Sequence, residues 1–179
     1  MGRLLTLVTR AATFVVVLVL AGCGGLYSGM ADLSQATAPT QPIKAGAYLG
    51  ASDEENRIEL DDEGGYRVIN SSSEELRAKI FGPVAGVYVA QLAAEKEQAG
   101  LFAYAIIRVD AEGVQLAEDA ADVLGTMLFS RLGIAPPPDG AAVSGLTDNA
   151  FLNWALLQEF IVKHRDALDF RPLYRPAAK

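Results

Sequence analysis

Between residues 43 and 117 the chain repeats one pattern: a short apolar or alternating run, then a turn, at nearly regular spacing. Arg57-Ile-Glu-Leu-Asp sets Ile58 and Leu60 among charged neighbours, the mark of a half-buried strand. Asp61-Asp-Glu-Gly-Gly reads as a turn in which glycine supplies positive φ, and Tyr66-Arg-Val-Ile as the return strand. The arrangement recurs in Ile106-Ile-Arg-Val-Asp-Ala-Glu-Gly-Val-Gln-Leu, so two hairpins share an Asp-x-Glu-Gly turn, a matter of local turn chemistry more than of a true repeat. Gly46-Ala-Tyr-Leu-Gly, Leu76 to Phe81 and Val87 to Ala94 read as further strands, the last two separated by Gly82-Pro-Val-Ala-Gly. Gly100-Leu-Phe-Ala-Tyr-Ala-Ile-Ile is apolar on both faces and suits a central strand, with Glu95-Lys-Glu-Gln-Ala as its connecting loop. Short strands joined this way predict an antiparallel meander, either a curved sheet or a small barrel.

Two helices are expected after the strands. Glu118, Asp119 and Asp122 suit the positive end of the first, Arg131 its last turn, and Gly133 a left-handed stop. At 100° per residue Ala120, Val123, Leu124, Met127 and Leu128 share one arc, which should lie on the sheet. Pro136-Pro-Pro-Asp-Gly breaks that helix. Thr147 or Asp148 is expected to cap a second, reaching to about Leu168, with Asn153 and His164 as the polar residues in its apolar arc. The tail from Asp169 (Phe-Arg-Pro-Leu-Tyr-Arg-Pro) reads as laid across the domain or loose. The expected class is α+β: an antiparallel meander packed by two C-terminal helices, forming one domain over residues 43–179.

The N-terminus is a different kind of sequence. Residues 1–10 carry Arg3 and Arg10 and no acid, and residues 11–21 are apolar apart from Thr13. That run fits a secretory signal and is short of the about twenty residues a spanning helix needs. It closes on Leu20-Ala21-Gly22-Cys23, which holds the single cysteine. All four positions are similar to the lipobox of bacterial lipoproteins. The resemblance implies cleavage between Gly22 and Cys23, a diacylglyceryl group on the Cys23 sulfur and acylation of the new amine. Two or more chains hold a protein stably on a bilayer, where one binds marginally. Gly24 follows the cysteine where Asp would favour inner-membrane retention, so the family pattern implies the outer membrane, facing the periplasm. Residues 24–42, rich in Gly, Ser, Ala, Thr, Gln and Pro, read as a flexible tether.

Removing residues 1–22 leaves 157 of the 179 residues, enough for one domain with a proper core. Arg3 and Arg10 leave with them, so 13 basic residues face 22 acidic ones, a formal −9. Such a surface disfavours nucleic acid and gives no help on anionic lipid, so membrane attachment rests on acylation. With Cys23 committed to lipid, no disulfide is available and packing must hold the core.

No site chemistry stands out. His164 is the single histidine, read as a packed ring with one partner; the alternative makes it a general base for Ser130 or Ser144 in a lipid-anchored hydrolase, without any Gly-x-Ser-x-Gly elbow. Asp61, Asp62 and Glu63 sit in too tight a turn for calcium, and one histidine cannot build a zinc site without several carboxylates. No phosphate loop, dinucleotide fingerprint or Cys-x-x-Cys occurs, and no cofactor or metal is expected. Arg77, Lys79, Arg108 and Arg131 are scattered. Tyr48, Tyr66, Tyr88 and Tyr104 fall on expected strands, as packing residues or as a ligand platform at a barrel mouth. The expectation is a non-enzymatic envelope lipoprotein, bound to the bilayer through acylated Cys23, that binds an envelope protein partner or a small apolar ligand.

Overall fold

The computed structural model describes residues 26–29 (backbone), 32–93, 102–133 and 153–178; the leader, Gly22, Cys23 and Ser144 lie outside the described residues. In chain order come β1 (Leu26–Gly29), a 3₁₀ turn at Leu33–Gln35, β2 (Gly46–Gly50), β3 (Glu55–Leu60), β4 (Tyr66–Asn70), β5 (Glu75–Val84), β6 (Val87–Ala93), β7 (Phe102–Val109) and β8 (Val114–Ala117). Helices α1 (Ala120–Leu132) and α2 (Trp154–His164) follow, and β9 (Phe170–Pro176) completes the order. From β2 onward each strand pairs antiparallel with the next, and β9 returns to β2, with Tyr48 opposite Pro176 and Gly50 opposite Tyr174. The meander is thus a closed eight-stranded barrel in an α+β fold, with both helices inserted before the last strand.

The turns follow from their side chains. The Asp61 carboxylate accepts from the Glu63 and Gly65 amides at 2.9 and 2.6 Å, and Asp110 accepts from Glu112 and Gly113 at 2.8 and 3.1 Å. The shared Asp-x-Glu-Gly signature therefore builds two similar side-chain-bonded turns. Between β5 and β6 the strand runs on through Gly82, Pro83 and Val84, with a register shift between Phe81 and Val84. The turn is confined to Ala85 (φ 50°) and Gly86 (φ 83°), so the break expected over residues 82–86 is corrected to two residues.

Alternation along the strands separates two cores. Inward positions Ile58, Tyr66, Ile80, Ala90, Ala105, Ile107, Val114 and Leu116 form the barrel interior. Outward positions of β5, β6 and β7 (Phe81, Val89, Tyr104, Ile106) are fully buried beneath the helices, against Leu124, Leu157, Phe160 and Ile161. β6 and β7 are largely apolar on both faces because each face has its own core, and β5 joins the helix-side core only at Phe81 and Val84. The outward faces of β3 to β5 carry Arg57, Glu59, Arg67, Arg77 and Lys79 instead. A charged outer wall around an apolar interior suits water outside the barrel rather than lipid.

Three expectations are corrected. The tail after Asp169 is neither laid across the domain nor loose: it is β9, the closing strand. Prolines 172 and 176 hid it, because proline removes a ladder donor; Pro172 faces Gln115 where the β8–β9 register shifts, which tolerates that loss. The second helix begins at Trp154 and ends at His164, short of Leu168. The described part of residues 24–42 is docked instead of free. β1 pairs with the first half of β7, Leu33 is 1% exposed in the helix-side core, and the Thr40 amide donates to the Ile80 carbonyl at 2.7 Å. Single apolar anchors in a polar stretch leave no periodicity to read.

Candidate functional site

The site is the barrel interior. An eight-stranded barrel is just wide enough for its side chains to fill it or to hold one small ligand. Here Ala78, Ala90 and Ala105, on three neighbouring strands, replace the large residues that would fill it, and Ala90 lies directly opposite Ala105. The cavity is about 70 Å³, within an envelope of about 660 Å³ that includes the open solvent at its mouth. The smaller figure already exceeds the roughly 10–15 Å³ that one water needs. The wall consists of aliphatic residues and two tyrosines, Tyr66 and Tyr174, with no charged side chain.

One end is closed by the N-terminal segment. Ile43 enters the interior cluster, and the Tyr66 hydroxyl accepts from its amide at 2.9 Å and donates to its carbonyl at 3.0 Å. The Tyr48 hydroxyl donates to the Lys44 carbonyl at 2.8 Å. Burial pushes the Tyr66 phenol up to about 12, so it stays protonated and can serve both Ile43 groups. At the other end Val68, Leu76, Ala78 and Leu92 are only half-buried, which marks the mouth among the described residues.

Below that closure, a second polar cluster fixes the strap outside the barrel. Gln91, 4% exposed, accepts from the Leu33 amide at 2.8 Å and donates to Asp32 at 3.1 Å. Asp32 also accepts from the Ser34 amide, capping the 3₁₀ turn.

Among the described residues, those singled out from sequence do not assemble into a catalytic centre. Asn153 is the N-cap of α2: its side chain accepts from the Leu156 amide at 3.0 Å, so it does not lie in the helix's apolar arc. His164 is half-buried in the last turn of α2, its ring stacked on Phe160 at 5.4 Å. Among the described residues no hydrogen bond or ion pair joins it to a serine or an acid; Ser130 is exposed on α1. Of the four tyrosines, Tyr48 and Tyr66 hold the closed end, Tyr88 packs beside the interior cluster and Tyr104 is sealed on the helix side. Asp61 is spent on its own turn and Glu63 pairs with Lys79 at 3.4 Å. Among the described residues no group of three or more His, Cys, Asp or Glu side chains could hold a metal ion.

What sequence reasoning missed is the set of small inward residues. Ala78, Ala90 and Ala105 look unremarkable one by one; only barrel closure turns them toward a common axis. Comparison of the chain with protein-family models, with curated proteins and with solved structures finds no match.

Proposed function

We propose that this chain is a lipid-anchored envelope lipoprotein, held to the outer membrane through acylated Cys23, whose barrel binds a small apolar ligand. The observation that carries the binding role is the uncharged lumen left open by Ala78, Ala90 and Ala105. Apolar burial contributes about 25 cal/mol per Å², so an occupant without hydrogen-bonding groups can still be held. The lipobox supports the anchor. A binding role is favoured over hydrolysis because the His164 ring is engaged with Phe160 and the lumen wall offers no nucleophile–base pair.

Each part has its own test. Intact mass of membrane-extracted protein should exceed that of the chain from Cys23 by the mass of its acyl groups, and Cys23→Ser should leave the membrane fraction. An unmodified mass, or release of the wild type without detergent, overturns the anchor. For binding, the chain from residue 23 carrying Cys23→Ser should bind an apolar probe, alkyl or aromatic, at one-to-one stoichiometry. Failure of every such probe overturns the lumen as a ligand site.

A further inference from the structure

The shape of the lumen narrows the ligand class, on the reading that the lumen is the binding site. Space runs from Leu76 and Leu92 at the half-exposed end, past Ala78, Ala90 and Ala105, to Tyr66 at the closed end. From Leu76 to Ile80 along β5, four residues at about 3.3 Å each give roughly 13 Å of strand, or about 10 Å of depth at the about 40° strand tilt of a barrel. A zigzag hydrocarbon built from bonds of about 1.5 Å rises about 1.25 Å per carbon, so roughly eight carbons fit that depth. Ala90 opposite Ala105, with Ala78 offset by two residues on the next strand, makes a trough across one side of the wall, and about 70 Å³ spread over this depth is a narrow passage rather than a wide chamber. The Tyr66 hydroxyl, the polar atom at the closed end, is already engaged with both backbone groups of Ile43. A polar group carried to the closed end would therefore lose its water without gaining a partner from Tyr66.

We infer that the barrel takes one unbranched hydrocarbon chain, from a fatty acid or a monoacyl lipid, with its methyl end toward Tyr66 and Ile43 and its head group left at the Leu76–Leu92 rim. Ala105 and Ala90 then set specificity, because a larger side chain at either position fills the trough. The head group is held only by its tether to the chain, so affinity follows chain length.

The chain from residue 23 with Cys23→Ser is titrated with saturated fatty acids of increasing length, with a monoacyl phosphatidylethanolamine of matching chain, and with adamantane carboxylate as a compact apolar acid. Binding should be one-to-one and tighten about fourfold per added methylene up to about eight carbons, then level off. Ala105→Leu should abolish chain binding while the thermal transition is kept or raised; Ala90→Val serves if that variant fails to fold. Binding of the fatty acid alone, the monoacyl lipid alone or both supports the inference and tells which source fits. If adamantane carboxylate binds as well as the chains, if length has no effect, or if the filled variants bind like wild type, the inference falls while the lumen remains a ligand site. If neither chain nor compact acid binds, the inference and the site fall together.

Discussion

Tyr66 shows how one side chain can close a barrel. Its hydroxyl answers both the amide and the carbonyl of Ile43, two buried backbone groups that would otherwise lack partners. Tyr66→Phe should therefore destabilise by about 1–3 kcal/mol in chemical denaturation, with the sheet signal in circular dichroism unchanged. Burial raises both Tyr66 and Tyr104 to about 12 from an ordinary 10.0, with the Asp32 charge adding to the effect on Tyr104. The folded state thus holds protons that the unfolded chain releases above about 10. Stability contributed by these phenols is complete below that pH and is lost as pH climbs toward and through about 12. Burial also raises Tyr48 and Tyr174, so phenolate absorbance followed against pH should show several late-titrating tyrosines in the wild type and one fewer in Tyr66→Phe. At α2, Asn153→Ala should cost about 1 kcal/mol by orphaning the Leu156 amide, with ligand binding unchanged.

Individual elements are tied together at few points. Glu159 on α2 receives Lys163 at 2.7 Å and Arg131 from α1, joining the two helices. Hydrogen bonds from Lys163, then Arg131, hold its carboxyl down at about 2 from an ordinary 4.5. A lowered carboxylate stabilises above the unfolded value and loses that contribution as pH falls through the folded one. The melting-temperature gap between wild type and Glu159→Gln should be small, constant near neutrality, and vanish between about pH 4.5 and 2; a gap that persists in acid would show that packing, not charge, is responsible. Barrel closure depends on a different point. Gly113 (φ 138°) stands where a Cβ would run into the Tyr174 carbonyl oxygen, beside the register shift of β8 on β9. Gly113→Ala should destabilise by roughly 3 kcal/mol or more in denaturant titration.

The whole molecule combines a charged barrel wall, a helix pair on one side and an N-terminal segment laid across the barrel. That docking changes the geometry of attachment. Two residues, Gly24 and Gly25, separate Cys23 from β1, so an acylated Cys23 would hold β1 within about 10 Å of the anchor, counting about 3.5 Å per residue. A free tether of 24–42 would have allowed more than twice that reach. With the proposed acyl anchor in place, inserting a Gly-Ser linker after Gly25 should raise protease access to the domain on intact vesicles without changing its melting temperature. Deleting residues 170–179 removes β9 and should open the barrel, seen as a broadened thermal transition and new dye binding to exposed apolar surface.

Much of the architecture was legible along the chain because strands with one wet face and turns with Asp, Glu and Gly leave local signatures. Ile58 between charges, the two Asp-x-Glu-Gly turns and the Gly133 stop (φ 67°) all read directly. The apolar run of β7 announced burial on both faces without saying what lay on either. The rest depended on contacts between residues far apart in sequence. A proline-bearing tail became a closing strand because β2 and β8 offered edges that it alone could join. A polar segment became a strap because Leu33 and Ile43 each found a core. Sequence by itself determined where strands and the Asp-x-Glu-Gly turns would fall and buried positions such as Ile58, since those are set by local periodicity and turn chemistry, although Leu60 of the same strand is exposed. Only the tertiary structure decided that the sheet closes and that three alanines face one axis, because a void belongs to no single residue.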